Sequence, residues 1–203
     1  MFNQKHAHQK STRGFGLLEV FLAKKRAALA GRLIGQSLRK GRILDIGCGS
    51  FPHFLLSTDF DEKYGIDLAV HKDRTINKNV ILKRVDFEKE QLPFANSFFD
   101  VVVMLAVFEH VNEEEVATLL EEVNRVLKKG GLLVMTTPSP WASPLLWLLS
   151  RASVISKTEI DDHKSAFHMA EIKRFLSRAG FSLKYMKYGY FELYFNMWLS
   201  AIK

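Results

Sequence analysis

Three acidic residues, each at or near the end of a short apolar run, are the chemistry this chain offers first. Asp45 lies inside Ile43-Leu44-Asp45-Ile46, two residues ahead of the turn Gly47-Cys48-Gly49. Asp67 follows Tyr64-Gly65-Ile66, and Asp86-Phe87 follow the run Val80–Val85. Glycines without side chains let the backbone approach a ligand closely where a helix begins. A pyrophosphate-binding turn would want a third glycine at position 52, where this chain has Pro52. The Asp45 carboxylate also suits a cationic ligand better than a diphosphate, because like charges repel. An acid placed as Asp67 is can accept both hydroxyls of a ribose. Asp86 can accept a hydrogen bond from an adenine amino group while Phe87 covers the ring face. Asp also caps strands and turns for purely structural reasons. Three such acids at consecutive strand ends resist that explanation.

Two histidines are placed to move a proton. His110 follows the run Phe99–Leu105, and His163 closes Asp161-Asp162-His163. For His110 the alternatives are a hydrogen bond that shapes its loop and a general base. For His163 they are a contact in a substrate lid and a solvated loop. His168 stands where a helix cap is expected. Asp161, Asp162, His163 and His168 match no specific ligand spacing, so no metal is expected. Cys48, the sole cysteine, reads as a small packing residue rather than a nucleophile.

Elements able to position these residues follow from the hydrophobic periodicity. Strands are expected at Ile43–Ile46, Tyr64–Ile66, Val80–Val85, Phe99–Leu105 and Leu132–Met135; the continuous β-branched Val101-Val102-Val103 fits a strand buried on both faces. Ser50, followed by Pro52, predicts a capped helix start. A helix is expected from Glu113 to Lys128, with Asn112 as N-cap, Glu115 completing a capping box and one apolar stripe from Val116 to Leu127. Another is expected over Met169–Ala179, stopped by Gly180. The stretch from Phe15 to Leu38 has helical spacing, interrupted by Gly31 and Gly35, which allows two helices. Phe181 to Ile202 alternates and is rich in aromatics, as two pairing strands would be. Strands alternating with helices predict a doubly wound, mostly parallel sheet that binds ligands beyond its strands' carboxyl ends.

One domain over residues 1–203 is expected, with a basic helical arm at 1–40 and a lid or insertion at 138–168. The lone cysteine excludes an intrachain disulfide and fits a reducing, cytoplasmic setting. The start of the chain lacks the apolar core of a secretory signal, and no apolar run approaches bilayer-spanning length. Of the net charge of +7, residues 1–42 carry +9 and the remainder −2. Such an arm is either a solvated helix face or a contact for an anionic partner: nucleic acid, lipid headgroups or a phosphorylated substrate.

The stretches ILDIGCG, GID, VDFEKEQLPFANSFFDVVV and VFEHV resemble the class I methyltransferases, most closely the type 11 subfamily. The resemblance covers residues 41–137 and, more weakly, extends to about 181. It implies a Rossmann-like sheet of seven strands, the last antiparallel, and S-adenosylmethionine as cofactor. It further implies that Gly47 and Gly49 face the methionine part, Asp67 the ribose, Asp86 and Phe87 the adenine, and Ala106 the cofactor through its backbone, with Asp45, Cys48 and Leu68 also expected among the cofactor-binding residues. The family's glycine after the glycine pair is Phe51 here, which predicts a shifted helix start and a tighter pocket. Neither a catalytic cysteine nor the Asn/Asp-Pro-Pro-aromatic motif of many amino-directed nucleic-acid methyltransferases is present. The leading expectation is therefore an enzyme methylating a small-molecule or lipid-linked acceptor. An RNA methyltransferase using the basic arm, and a non-catalytic cofactor-binding module, are the alternatives. The segment PSPWASPLLWLLSRASVIS reads either as a core helix or as an apolar lid that suits a peripheral contact with the inner membrane face.

Overall fold

A computed structural model describes residues 17–77, 79–142 and 167–203. Its strands are β1 (Arg42–Ile46), β2 (Glu62–Ile66), β3 (Arg74–Ile76), β4 (Val80–Lys83), β5 (Phe99–Leu105), β6 (Leu127–Pro138), β7 (Lys187–Phe191) and β8 (Asn196–Ile202). They form one sheet in the order β3-β4-β2-β1-β5-β6-β8-β7. The strands from β4 to β6 pair in parallel. β8 runs antiparallel between β6 and β7, and β3 folds back antiparallel on β4. The antiparallel final strand is as expected. The sheet has eight strands rather than seven because Arg74–Ile76 pairs with Val80–Leu82, adding a three-residue edge strand. From β1 the chain winds outward through β2 and later returns to β5, so the sheet's switch point lies between β1 and β5.

Alternation along the strands divides the core into two layers. Ile43, Val101, Val103 and Val134 pack on one side with Ala30 and Ile34, at the end of α1 (Leu17–Leu33), and with Phe54 and Leu55 of α2 (His53–Ser57). Leu44, Ile46, Val102, Met104 and Leu133 pack on the other with α3 (Glu113–Val126) and α4 (Met169–Arg178). α1 continues through Gly31 as one helix and gives way to a 3-10 turn at Gln36–Lys40.

α3 buries the expected stripe, Val116, Leu119, Leu120, Val123 and Val126. It ends two residues early, because Leu127 is drawn into β6 opposite Phe99 and Lys128 extends to clamp Asp100 at 2.7 and 2.8 Å. Asn112 holds the N-cap position but does not cap. Its side-chain amide donates instead to Glu88 at 3.1 Å, and the three glutamates of the first turn complement the helix dipole. Ser50 does not cap α2 either. That helix starts at His53 and is only five residues long, since Phe51 and Pro52 prolong the turn. α4 begins where expected, with the Glu171 carboxylate accepting the His168 backbone N–H at 2.7 Å.

Arg125 on α3 explains how LPFANSFF is held through its bends and turn beside the sheet. Its guanidinium donates to the carbonyls of Leu92 (2.9 Å) and Phe94 (2.8 Å) and to the Asn96 side chain (2.8 Å). Glu122, paired with Arg125, accepts the Leu92 N–H at 2.9 Å. Phe94, Phe98 and Phe99 then close around Tyr64 in edge-on contacts.

Among the described residues no helix is long and apolar enough to cross a membrane. The arm up to residue 16 and the segment 143–166, with Asp161, Asp162 and His163, lie outside them.

Candidate active site

The turn after β1 is built by shared acceptors. Ile66 at the end of β2 presents its carbonyl to both the Gly47 N–H (2.8 Å) and the Cys48 N–H (3.2 Å). Gly47 and Gly49 have φ of +76° and +69°, which glycine adopts without strain. A Cβ on Gly47 would overlap the Val107 side chain from the loop after β5. This glycine is therefore required both by its dihedral and by the closeness of the two loops at the switch point.

Asp67 binds that turn to the end of β2. One carboxylate oxygen accepts the Gly49 N–H at 2.9 Å, and the other accepts the Ala69 N–H at 2.7 Å. A carboxylate has about four acceptor sites, so each oxygen keeps one for a ligand hydroxyl. Leu68 is exposed beside it. From β3, Arg74 donates to the Ser50 carbonyl at 2.8 Å and so steadies the far end of the turn. Nothing local in the sequence marks Arg74 for this role, because it depends on the strand that only pairing with β4 creates.

Asp45 is buried in β1, between Gly65 of β2 and Val103 of β5. Burial, and next the charge of Asp67, hold its carboxyl well above the usual carboxylate range. A cation placed beside it would reverse that penalty. Cys48 is buried, and burial followed by the charges of Asp45 and Asp67 pushes its thiol far up, so it has no thiolate to offer.

Asp86 lies beyond β4, whose end is tied to β2 by the Asp67 N–H donating to the Lys83 carbonyl at 3.3 Å. Its main-chain carbonyl accepts the N–H groups of Lys89 (3.0 Å) and Glu90 (2.8 Å), and its carboxylate lies 3.5 Å from the Lys89 ammonium. Phe87 packs partly against the core. The three acids thus lie in or just beyond neighbouring strands, in the order β4, β2, β1. On the other side of the switch point, Ala106 adopts φ +57° and donates to the Thr136 carbonyl at 2.9 Å. A 3-10 turn, Phe108–His110, follows. Phe108 is fully buried, whereas His110 is half-buried, with its backbone N–H held by the Val107 carbonyl at 3.0 Å. Glu109, to which the spacing drew no attention, is buried and accepts the Thr137 hydroxyl at 3.1 Å.

A doubly wound sheet with a glycine turn and acids at successive strand ends defines a Rossmann-like fold for an adenosine-containing cofactor. Residues 44–135 match the family model of the type 11 methyltransferase domain. Over that stretch, under half of its 203 residues, the chain is similar to the class I S-adenosylmethionine-dependent methyltransferases of type 11. An uncharacterised protein of Methanocaldococcus jannaschii is 28% identical over 156 residues, 73% of this chain and 58% of its own length. The ubiquinone/menaquinone biosynthesis C-methyltransferase UbiE of Paraburkholderia phytofirmans is 35% identical over 85 residues, 41% of this chain and 33% of its own length. The chain thus spans about three-fifths and a third of these two relatives. An S-adenosylmethionine-dependent methyltransferase from Mesorhizobium loti shares the fold with a TM-score of 0.64 at 19% identity, covering 90% of this chain and all of that one.

S-Adenosylmethionine is the family's cofactor, and the donor set fits it. A buried carboxyl suits its cationic end, and a carboxylate with two spare acceptor sites suits a ribose diol.

Proposed function

We propose that this protein transfers a methyl group from S-adenosylmethionine to a small-molecule or lipid-linked acceptor in the cytoplasm, using residues 1–203 as one methyltransferase domain. The observation that carries this reading is the row Asp86, Asp67, Asp45 around the glycine turn, faced by the Ala106–His110 loop across the switch point. Asp45, Gly47, Cys48 and Gly49 receive the methionine part, Asp67 and Leu68 the ribose, Asp86 and Phe87 the adenine, and the Ala106 backbone closes the site. When bound, the cofactor supplies an electrophilic methyl group on a sulfonium, so orientation and exclusion of water provide much of the rate. His110 accepts the acceptor's proton on its imidazole nitrogen, and His163 is the second candidate for that role. The similarity to UbiE, a ubiquinone/menaquinone biosynthesis C-methyltransferase, supports a small quinone-like acceptor class.

Incubation with methyl-labelled cofactor and a total cell extract tests this, with the products then separated into lipid, RNA and protein fractions. Label in the lipid or small-molecule fraction is expected. Label confined to RNA replaces this reading with the RNA methyltransferase, and no label in any fraction leaves a cofactor-binding module. His110→Ala is expected to lower kcat by roughly 10²–10⁴ with cofactor affinity unchanged.

A further inference from the structure

The β7–β8 turn carries apolar side chains where a soluble surface has no use for them. Leu193 is 86% exposed and Tyr194 65% exposed. Glu192, Leu193 and Tyr194 have φ of +53°, +55° and +69°, three successive non-glycine residues in the left-handed region. Such backbone is costly and persists where the surroundings impose it or function needs it. The surroundings do impose it. The Tyr194 carbonyl accepts the Ser139 hydroxyl at 2.7 Å, the Phe195 carbonyl accepts the Ser139 N–H at 2.8 Å, and the Glu192 carboxylate accepts the Asn196 amide at 2.6 Å. The turn is thereby locked with Leu193 and Tyr194 outward.

Around it the exposed aromatics form a continuous plate. The Tyr190 ring lies 5.6 Å from Tyr194 and 5.4 Å from Trp141, itself 49% exposed. The first half of α1 flanks this plate. Ala27 and Ala30 of α1 and Ile34 after it pack with Val101, Val103 and Val134, and the chain then leaves for the start of β1, so the first half of α1 points toward the carboxyl ends of the strands, where the turn lies. There Phe21 is 52% exposed with the Lys25 ammonium 4.9 Å above its ring, and Lys24 is exposed beside it. Because β8 is antiparallel, the β7–β8 turn falls at the end of β6, the same sheet edge that carries the glycine turn and Ala106.

We infer that the plate Trp141, Tyr190, Leu193 and Tyr194, with Lys24 and Lys25 beside it, docks the protein onto an anionic lipid bilayer. Tryptophan and tyrosine prefer the headgroup level, where a ring meets apolar chains and its polar atom stays wet. Apolar insertion and attraction of lysines to anionic headgroups reinforce one another, as peripheral binding requires. The most exposed member is leucine, which offers no ring for a base to stack on, so a lipid surface fits better than single-stranded RNA. Docking this way brings the cofactor-bearing edge of the sheet to headgroup level. The inference rests on this surface and does not depend on which acceptor is methylated.

Co-sedimentation of the full chain, without cofactor, with phosphatidylcholine vesicles and with vesicles also containing phosphatidylglycerol tests it. Binding to the anionic vesicles is expected, at least tenfold stronger than to the neutral ones and weakened by salt. The Leu193→Asn, Tyr194→Asn double variant keeps residues that accept left-handed backbone, so it should fold, and its binding should fall tenfold or more. Lys24→Glu with Lys25→Glu should weaken binding to the anionic vesicles alone. Wild type that ignores anionic vesicles at low salt overturns the inference, as does a folded Asn variant that binds like wild type. Capture of a single-stranded RNA probe through the same residues, without vesicle binding, overturns it in favour of RNA.

Discussion

The Asp67 carboxylate accepts the Gly49 N–H at 2.9 Å, so the residue proposed to hold the ribose is also the residue that shapes the glycine turn. In the proposed site, cofactor binding and the local fold are coupled through this one side chain. A substitution at Asp67 acts on both, and the two effects separate by measurement.

Asp67→Ala removes the acceptor proposed for the ribose and leaves the Gly49 and Ala69 N–H groups without their partner. Calorimetry should show cofactor-product affinity reduced by roughly 1.5–3 kcal/mol, the scale of hydrogen bonds to a charged group. Thermal unfolding should shift down as well. Wild type that binds no cofactor product at all would remove the basis of the proposal.

At Gly47, alanine meets two obstacles, φ of +76° and the overlap with Val107. The backbone contributes about 1–2 kcal/mol of destabilisation, and the overlap about 1–3 kcal/mol. Urea unfolding of Gly47→Ala, with and without Val107→Ala, separates them: the second change should restore the overlap part alone. Equal stability of Gly47→Ala and wild type would show that the two loops do not meet as described.

Asp45 makes stability depend on pH. Its carboxyl lies well above the ordinary value of 3.8 in the folded chain, chiefly through burial. The native state therefore keeps a proton that the unfolded chain releases. The stability linked to that proton is fully present below the unfolded value and is lost as pH rises from there through the native value. Asp45→Asn cannot titrate, so its stability should gain on wild type as pH rises above about 4. Affinity of the wild type for the cationic cofactor should increase over the same interval as the carboxylate forms. Unfolding curves that stay parallel across pH would show that Asp45 does not contribute this linkage.

Arg125→Met retains the apolar stem but leaves the carbonyls of Leu92 and Phe94 without the guanidinium. A loss of about 2–3 kcal/mol is expected, since acceptors are left unpaired. The stretch 92–98 should then exchange its amide hydrogens faster, which hydrogen–deuterium exchange reads directly. Unchanged exchange there would mean that the aromatic cluster alone holds the segment.

Several parts of this protein are written locally and were legible before any contact was known. The continuous valines of β5 announce a buried parallel strand, because a strand covered on both faces needs no polar alternation, and short apolar runs mark β1, β2 and β4 beside it. The stripe of α3 has its 3.6-residue period whatever it packs against, and Gly180 ends α4 where the spacing places it. The acids Asp45, Asp67 and Asp86 are legible as a set because each follows or sits in such a run.

Tertiary structure decided what neighbours across the chain impose. β3 is three residues of unremarkable pattern that become a strand only because β4 offers an edge. α3 stops at Val126 because Leu127 finds Phe99, and Asn112 leaves its cap for Glu88, 24 positions away. LPFANSFF is recognisable as a motif, yet its cause is Arg125, about 30 residues further on. The same holds for Val107 against Gly47, Arg74 on Ser50, and the locked turn that exposes Leu193 and Tyr194. Periodicity and turn chemistry act over a few residues and can be read in order along the chain. Register, overlap and long-range hydrogen bonds exist only once distant segments share a sheet, and there the sequence alone falls silent.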